Sequence, residues 1–191
     1  MRELVDLARL RNFLEALGRS FHHPARLLLT GGEGLVWRGL RGTTRDVDIA
    51  YVVDERWHGE WIRTIRDLIE STRTSVEEAS PADFIPLPPG SADRAQFVER
   101  FGSVDVFLYD AYSVALSKLS RGQTQDLDDV RTLLSAGVLD PAELRRLFDA
   151  ILPAYETRAV RADPVRFRAS LASVLAPGPW SAPTGADPGG P

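Results

Sequence analysis

The chain contains no cysteine, which excludes disulfide bonds, thiolate zinc sites and cysteine nucleophiles. Its three histidines are His22, His23 and His58, and their spacing does not form a zinc site. No apolar run approaches the roughly 20 residues that span a bilayer, and the charged N-terminus is not typical of a signal peptide. We therefore expect a cytoplasmic protein without a membrane partner.

Lysine is almost absent as well, because Lys118 is the only lysine among 23 basic residues. Arginine would serve a plain surface role equally well in such a chain, so Lys118 is expected to have a specific function. The formal net charge of −4 argues against a strongly basic nucleic-acid-binding protein. A local basic patch would still be compatible with an RNA substrate.

The remaining composition, 43% apolar and 26% charged, is that of an ordinary globular protein. Apolar spacing predicts a helix, a strand, a short helix, a strand, a helix and further strands, then helices from residue 111 onward. This order predicts an α+β fold with a small mixed β-sheet, helices on one face and a C-terminal helical bundle. The expected segments are an α/β core (1–110), a helical subdomain (111–175) and a disordered tail (176–191), with a helix over 92–100 inside the core.

Two aspartates carry the strongest functional signal. Asp46 and Asp48 lie in an alternating, β-branched run that predicts a strand. Side chains at i and i+2 of a strand point to the same face, so the two carboxylates project side by side. Adjacent like charges need an offset, and a divalent cation is the usual one. The structural alternative is a strand-end pair that caps backbone groups or binds Arg41 and Arg45.

Asp105 is the expected third acid. It lies in the alternating segment 102–110, where an unpaired carboxylate among apolar residues would be costly. Carboxylates from two strands can bind the Mg²⁺ ions that clamp attacking and leaving oxygens in phosphoryl transfer. We therefore expect Asp46, Asp48 and Asp105 to converge within roughly 6 Å. A salt bridge at a strand edge is the alternative for Asp105.

A glycine pair and a later cationic helix complete the pattern. Gly31 and Gly32 end an apolar strand and begin a short helix, where backbone N–H groups can approach phosphate, although an ordinary tight turn has the same signature. Lys118 and Arg121 share one helix face and could neutralise phosphate charge. Asp126 is expected either to bind these two cations or to stabilise the next helix at its N-terminus.

These motifs together resemble the DNA polymerase β-like nucleotidyltransferase superfamily. The matching segments are Leu27–Gly32, Thr44–Ile49 and Val104–Val106, and the run Leu116–Gly122 with Asp126 and Asp129 is similar to the abortive-infection type II toxin nucleotidyltransferases. The resemblance covers roughly residues 25–135 and implies a nucleotidyltransferase fold in the core.

The resemblance also implies a reaction, the transfer of a nucleotidyl group from an NTP to a hydroxyl with two Mg²⁺ ions. By this match Asp46 and Asp48 bind both metals and Asp105 the catalytic one. Gly31 and Gly32 hold the β- and γ-phosphates, Lys118 contacts the triphosphate and Asp126 takes the family's later acidic position. Relatives modify tRNA ends, proteins or small molecules, and toxins of this kind pair with an antitoxin protein.

The sequence departs from the family at Glu33, because many members have serine or another small residue after the glycines. A glutamate that pointed inward would repel a triphosphate. Either Glu33 points outward from the helix N-terminus, or NTP binding is degraded. The second case gives the alternative function, a catalytically inactive nucleotidyltransferase-fold module that binds a nucleotide or a protein. A plain structural domain would leave the three aspartates unexplained.

Overall fold

The computed structural model describes residues 4–157 and 162–176. Its helices are α1 (Leu7–Ser20), α2 (Glu33–Trp37), α3 (Glu55–Thr72), α4 (Ala111–Arg121), α5 (Thr124–Ser135), α6 (Pro141–Glu156) and α7 (Pro164–Leu175). Its strands are β1 (Ala25–Leu29), β2 (Val47–Val53), β3 (Val76–Glu78), β4 (Gln96–Phe101) and β5 (Val104–Leu108). Within these ranges no helix is long and apolar enough to cross a membrane.

The five strands form one mixed sheet in the order β3-β2-β1-β5-β4. The β1–β5 and β2–β3 pairs are parallel, whereas β1–β2 and β4–β5 are antiparallel. Strand burial alternates in β1 and β5, because successive side chains point to opposite faces of the sheet. The predicted α+β fold with a small mixed sheet is therefore confirmed.

One face of the sheet packs against α1 and α3. The buried face of α1 includes Phe13 and Leu17, which join Ile49 of β2 and Val106 of β5 in one apolar cluster. The amphipathic spacing of α1 matches this one-sided burial. The other face of the sheet carries Asp48 and borders the cavities described below.

Helices α4 to α7 build a second apolar cluster. Asp110 begins α4 by accepting hydrogen bonds from the backbone N–H groups of Tyr112 and Ser113. Gly122 ends α4 in the left-handed region, with a φ of 65°, and the chain turns there directly into α5. This turn places the last turn of α4 beside the first turns of α5, which brings Lys118 close to Asp126 and Asp129.

Residues 92–100 do not have the structure expected from the sequence. The helix expected over residues 92–100 is wrong: only Ala92–Arg94 forms a single 3-10 turn, and Gln96–Phe101 is strand β4. Pairing of β4 with β5 over this stretch outweighs the local helical preference, as strand formation depends on neighbouring strands. The expected disordered tail falls almost wholly on residues 177–191, which lie outside the described residues.

Candidate active site

A cavity of about 390 Å³ lies between the free face of the sheet and the α4–α5 pair. It is bordered by seven of the eight residues that the sequence singled out: Gly31, Gly32, Asp46, Asp48, Lys118, Arg121 and Asp126. The first four come from the β1–β2 region and the last three from the helical region. Residues up to 95 positions apart in the sequence thus border one space.

Asp48 projects from β2 into this cavity, and its backbone carbonyl accepts a hydrogen bond from Thr30 N at 3.0 Å. Burial raises the pKa of the Asp48 carboxyl, and the negative charges of Glu77 and Asp46 raise it further. Lys118 and Arg121 act in the opposite direction on the same pKa. Asp48 therefore lies where acidic residues of the sheet meet cations of the helices, and a positive charge placed there would stabilise its ionised form.

Asp105 does not join Asp46 and Asp48, so the expected convergence is wrong. It faces the same side of the sheet, but it pairs in register with Arg26, four residues before Thr30 on β1. Four residues correspond to roughly 13 Å along a strand. Its carboxylate instead binds Arg100, with 2.9 Å between Nη2 and Oδ2, and this guanidinium lowers the pKa of Asp105. Asp105 therefore forms a salt bridge, which was the alternative expected for it.

Glu77 occupies the place expected for the third acid. It lies on β3, the parallel neighbour of β2, in direct register with Asp48. It borders the same cavity and is the largest electrostatic contribution that raises the pKa of Asp48. The sequence signal was weak, because a three-residue strand in a polar stretch reveals neither its pairing partner nor its register.

The glycine turn is closely packed against the aspartate strand. A Cβ added at Gly31 would clash with the carboxylate of Asp48, and one at Gly32 would lie 2.8 Å from Oγ1 of Thr44. Both positions therefore require glycine for a close approach and not for an unusual φ. The packing of Gly31 ties the position of the Asp48 carboxylate to the shape of the turn.

Glu33 does not point outward from the helix N-terminus, so the first of the two expectations for it is wrong. It points inward and is completely buried, but it does not border the cavity. Its carboxylate accepts hydrogen bonds from Gly31 N at 2.6 Å and from Asp48 N at 3.4 Å, so it links the glycine turn to β2. Burial, and secondarily the charge of Asp48, raises the pKa of Glu33 to about 8.

The cations opposite Asp48 are held by a network of buried ion pairs. Lys118 Nζ lies 2.7 Å from Asp129 and 3.4 Å from Asp126, and the Lys118 side chain is only 6% exposed. Arg121 binds both carboxylate oxygens of Asp126, at 2.7 and 3.0 Å. Asp126 therefore does both things expected of it, since it binds the cations and lies in the first turn of α5. Such a network fixes the direction of the ammonium and guanidinium groups.

Sequence reasoning did not identify Arg41 as a site residue. Its guanidinium reaches from the loop after α2 to Asp129, at 3.2 and 3.3 Å. The same nitrogen lies 3.2 Å from the Cβ position of Gly32, directly beside the glycine turn. Arg41 therefore joins the sheet region to α5 and, like Arg45, adds a cation to the cavity. The only sequence signal was its place five residues before Asp46, in a chain where arginine is common.

The chemistry of the carboxylates suits a hard divalent cation. Asp46, Asp48 and Glu77 all border the cavity, and carboxylate oxygens are the ligands that Mg²⁺ prefers. Within residues 4–157 and 162–176, no three acidic or histidine side chains already lie close enough together to hold a metal ion. A metal bound here would therefore have to draw these side chains together.

Most of the chain matches a protein-family model. A model of the family described as "nucleotidyltransferase of unknown function (DUF6036)" matches residues 6–168, which includes every site residue discussed above. Neither the search of curated proteins nor the search of solved structures gave a significant match. The matched segment runs from the start of α1 into α7, so the family description covers the sheet and the helical region together.

Proposed function

The chain belongs to this nucleotidyltransferase family, and we propose that it is an active, Mg²⁺-dependent enzyme that transfers NMP from an NTP to a hydroxyl group. One observation carries the proposal: the cavity has Asp46, Asp48 and Glu77 on its sheet side, where the glycine turn also lies, and Lys118 and Arg121 on its helical side. Phosphoryl transfer needs this division, because metal ions and cations must neutralise charge on opposite parts of the triphosphate.

Asp46, Asp48 and Glu77 are the residues that would hold Mg²⁺, which would polarise the α-phosphate and stabilise the attacking and leaving oxygens. Glu77 replaces Asp105 in this proposal, because it is in register with Asp48. Two like charges already raise the pKa of Asp48. A cation at this point would relieve that repulsion, which gives the site an affinity for metal that an isolated carboxylate lacks.

Gly32, Lys118, Arg121 and Arg41 would bind the β- and γ-phosphates. Lys118 is buried and anchored by two carboxylates, so its ammonium is already oriented toward the cavity when the nucleotide arrives. Preorganised charge of this kind stabilises a developing negative charge without reorganisation during the reaction. The N–H of Gly31 is already bonded to Glu33, so in this state the remainder of the turn must contact the phosphates.

A role as the toxin of a toxin–antitoxin pair, with tRNA or protein as acceptor, rests only on the segment from Lys118 to Asp129. The alternative function, a catalytically inactive module that binds a nucleotide or a protein, is favoured by one observation: Glu33 occupies the Gly31 N–H group. The two functions differ in outcome, since the inactive module would bind an NTP and release no pyrophosphate.

The test is incubation of the protein with each α-labelled NTP and Mg²⁺, with pyrophosphate release and label transfer as readouts. Asp48→Asn and Glu77→Gln should each lower both rates by roughly four orders of magnitude or more, the scale seen when one member of a catalytic unit is removed. The matched control is Asp67→Asn on α3, whose side chain is 76% exposed, and its rates should stay unchanged. NTP binding without turnover by the wild-type protein would establish the inactive module instead.

A further inference from the structure

A second cavity, of about 400 Å³, lies on the free face of the sheet next to the candidate active site. Leu28, Ala50 and Phe107 of three neighbouring strands form its floor. Its outer wall comes from the segment between β3 and β4 and includes Leu87 and Ala92. We call this space the sheet pocket.

The sheet pocket continues the candidate active site along the strands. On β1 the next residue after Leu28 on the same face is Thr30, which borders the cavity of the candidate active site. On β2 the residue before Ala50 on that face is Asp48. Ser80 borders both cavities. A ligand in the sheet pocket would therefore lie about one strand repeat, roughly 7 Å, from the carboxylate of Asp48.

The position of the pocket relative to the phosphate-binding groups decides what it could hold. The glycine turn and the cations lie beyond the C-terminal end of β1, whereas the sheet pocket lies toward its N-terminal end. In phosphoryl transfer the attacking and leaving oxygens are roughly in line. With the pyrophosphate at the glycine turn, the attacking hydroxyl has to arrive from the side of the sheet pocket.

The charges of the pocket specify its ligand further. Among the described residues, Arg26 and Asp110 are the only charged ones that border it. Asp110 is buried, and its carboxylate already accepts hydrogen bonds from Nε and Nη2 of Arg94, at 2.9 Å each, and from Ser113 Oγ at 2.7 Å. Arg26 lies over the ring of Phe107, 5.2 Å from its centroid, and its charge contributes to the lowered pKa of Asp105, whose carboxylate binds Arg100. A cationic ligand would therefore lose hydration without gaining an ion pair from Asp110, and an anionic one would have only Arg26, two residues before Leu28 on the side away from Asp48, against the acidic residues of the adjoining cavity.

We propose that the sheet pocket binds the nucleotidyl acceptor, and that this acceptor is a small, uncharged alcohol with an apolar ring. The inference rests on the proposed function and narrows its acceptor. The ring packs on Leu28, Ala50 and Phe107, and the hydroxyl points past Ser80 to Asp48. The hydroxyl oxygen bonds to the α-phosphorus, and the bond from that phosphorus to the β-phosphate oxygen breaks, so that pyrophosphate leaves. The hydroxyl proton passes to a carboxylate of Asp46, Asp48 or Glu77.

Binding is tested first with 3-phenylpropan-1-ol as the probe, by NMR of the ¹⁵N-labelled protein with Mg²⁺ and an NTP. The probe should shift the amide signals of Leu28, Ala50 and Phe107, whereas the NTP should shift those of Gly31 and Gly32. Absence of probe-induced shifts at the pocket overturns the acceptor proposal. Absence of NTP-induced shifts at the glycines instead overturns the proposed function, so the two failures are distinguishable.

Transfer is tested with four acceptors: 3-phenylpropan-1-ol, glycerol 3-phosphate, total tRNA and a soluble protein extract. The label of the α-labelled NTP should be transferred to 3-phenylpropan-1-ol at least tenfold faster than to glycerol 3-phosphate. Ala50→Phe, which fills the floor, and Ala92→Phe, on the exposed wall, should each reduce this transfer at least tenfold and leave NTP binding unchanged. Ala172→Phe on α7 is the control for added apolar surface and should change neither. Preferential labelling of tRNA, protein or the anionic alcohol, insensitive to both pocket variants, overturns the proposal.

Discussion

Replacement of Glu33 by glutamine should change how the stability of the protein depends on pH. Glu33 is completely buried, and its pKa is raised from 4.5 to about 8. Below pH 4.5 the carboxyl is protonated in the folded and the unfolded state, so it contributes no pH dependence. Between pH 4.5 and 8 the unfolded chain releases this proton and the folded chain keeps it, so the free energy of unfolding falls as the pH rises. Above pH 8 both states are ionised and the loss is complete.

The size of the effect follows from the two pKa values. Each pH unit between them corresponds to about 1.4 kcal/mol, so the interval from 4.5 to about 8 amounts to about 5 kcal/mol in total. Between pH 5 and pH 8, where urea titrations are practical, the expected change is about 3 to 4 kcal/mol. Typical domains are stable by only 5 to 15 kcal/mol, so the change is large enough to measure.

The measurement compares urea unfolding of the wild-type protein and Glu33→Gln from pH 5 to pH 8 in metal-free buffer, with tryptophan fluorescence as the signal. The variant should gain about 3 to 4 kcal/mol relative to wild type over this range, because its neutral amide keeps the shape of the side chain and cannot ionise. Other titrating groups are common to both proteins and cancel in the difference. Glu70→Gln, on the exposed side of α3, is the matched control and should give a nearly constant difference. Parallel pH dependences of wild type and Glu33→Gln would refute the reasoning about Glu33.

Three further substitutions test the assignment of the site. Asp105→Asn should leave nucleotidyl transfer unchanged and cost at most about 1 kcal/mol, because Asp105 and Arg100 form an exposed ion pair far from Asp48; a large loss of activity would restore Asp105 to the site. Lys118→Met should weaken NTP binding in calorimetry at least tenfold. It should also lower the free energy of unfolding by about 3 kcal/mol, since the buried carboxylates of Asp126 and Asp129 lose their partner. A folded variant with full NTP affinity would contradict the phosphate-binding role of Lys118. Gly31→Ala should destabilise the protein by about 1 to 3 kcal/mol in urea titrations, because its Cβ clashes with Asp48. Wild-type stability of this variant would show that the turn can shift to accommodate the added methyl group.

Much of the fold was predictable because the relevant signals are local. Helix-period and strand-period patterns predicted α1 to α7 and the strands that carry Asp48 and Asp105. The exception was the segment that forms β4, whose structure depends on pairing with β5. For the site, the two-residue period of β2 was enough to place Asp48 on one face, whereas Asp46 precedes the first residue of β2 and borders the same cavity. The three-residue spacing of α4 likewise placed Lys118 beside Arg121.

The residue types, and the face that each residue occupies on its own strand or helix, can be inferred from local sequence patterns. Which of these faces meet depends on how the strands and helices pack together. Asp105 and Glu77 are equally acidic in the sequence, but only Glu77 is in register with Asp48, because β3 pairs with β2 while Asp105 lies four residues down the sheet. Glu33 likewise points inward because Gly31 and Asp48 offer it backbone N–H groups from two elements. Local periodicity sets the direction of a side chain, whereas strand register and neighbour order arise from long-range pairing that no local pattern encodes.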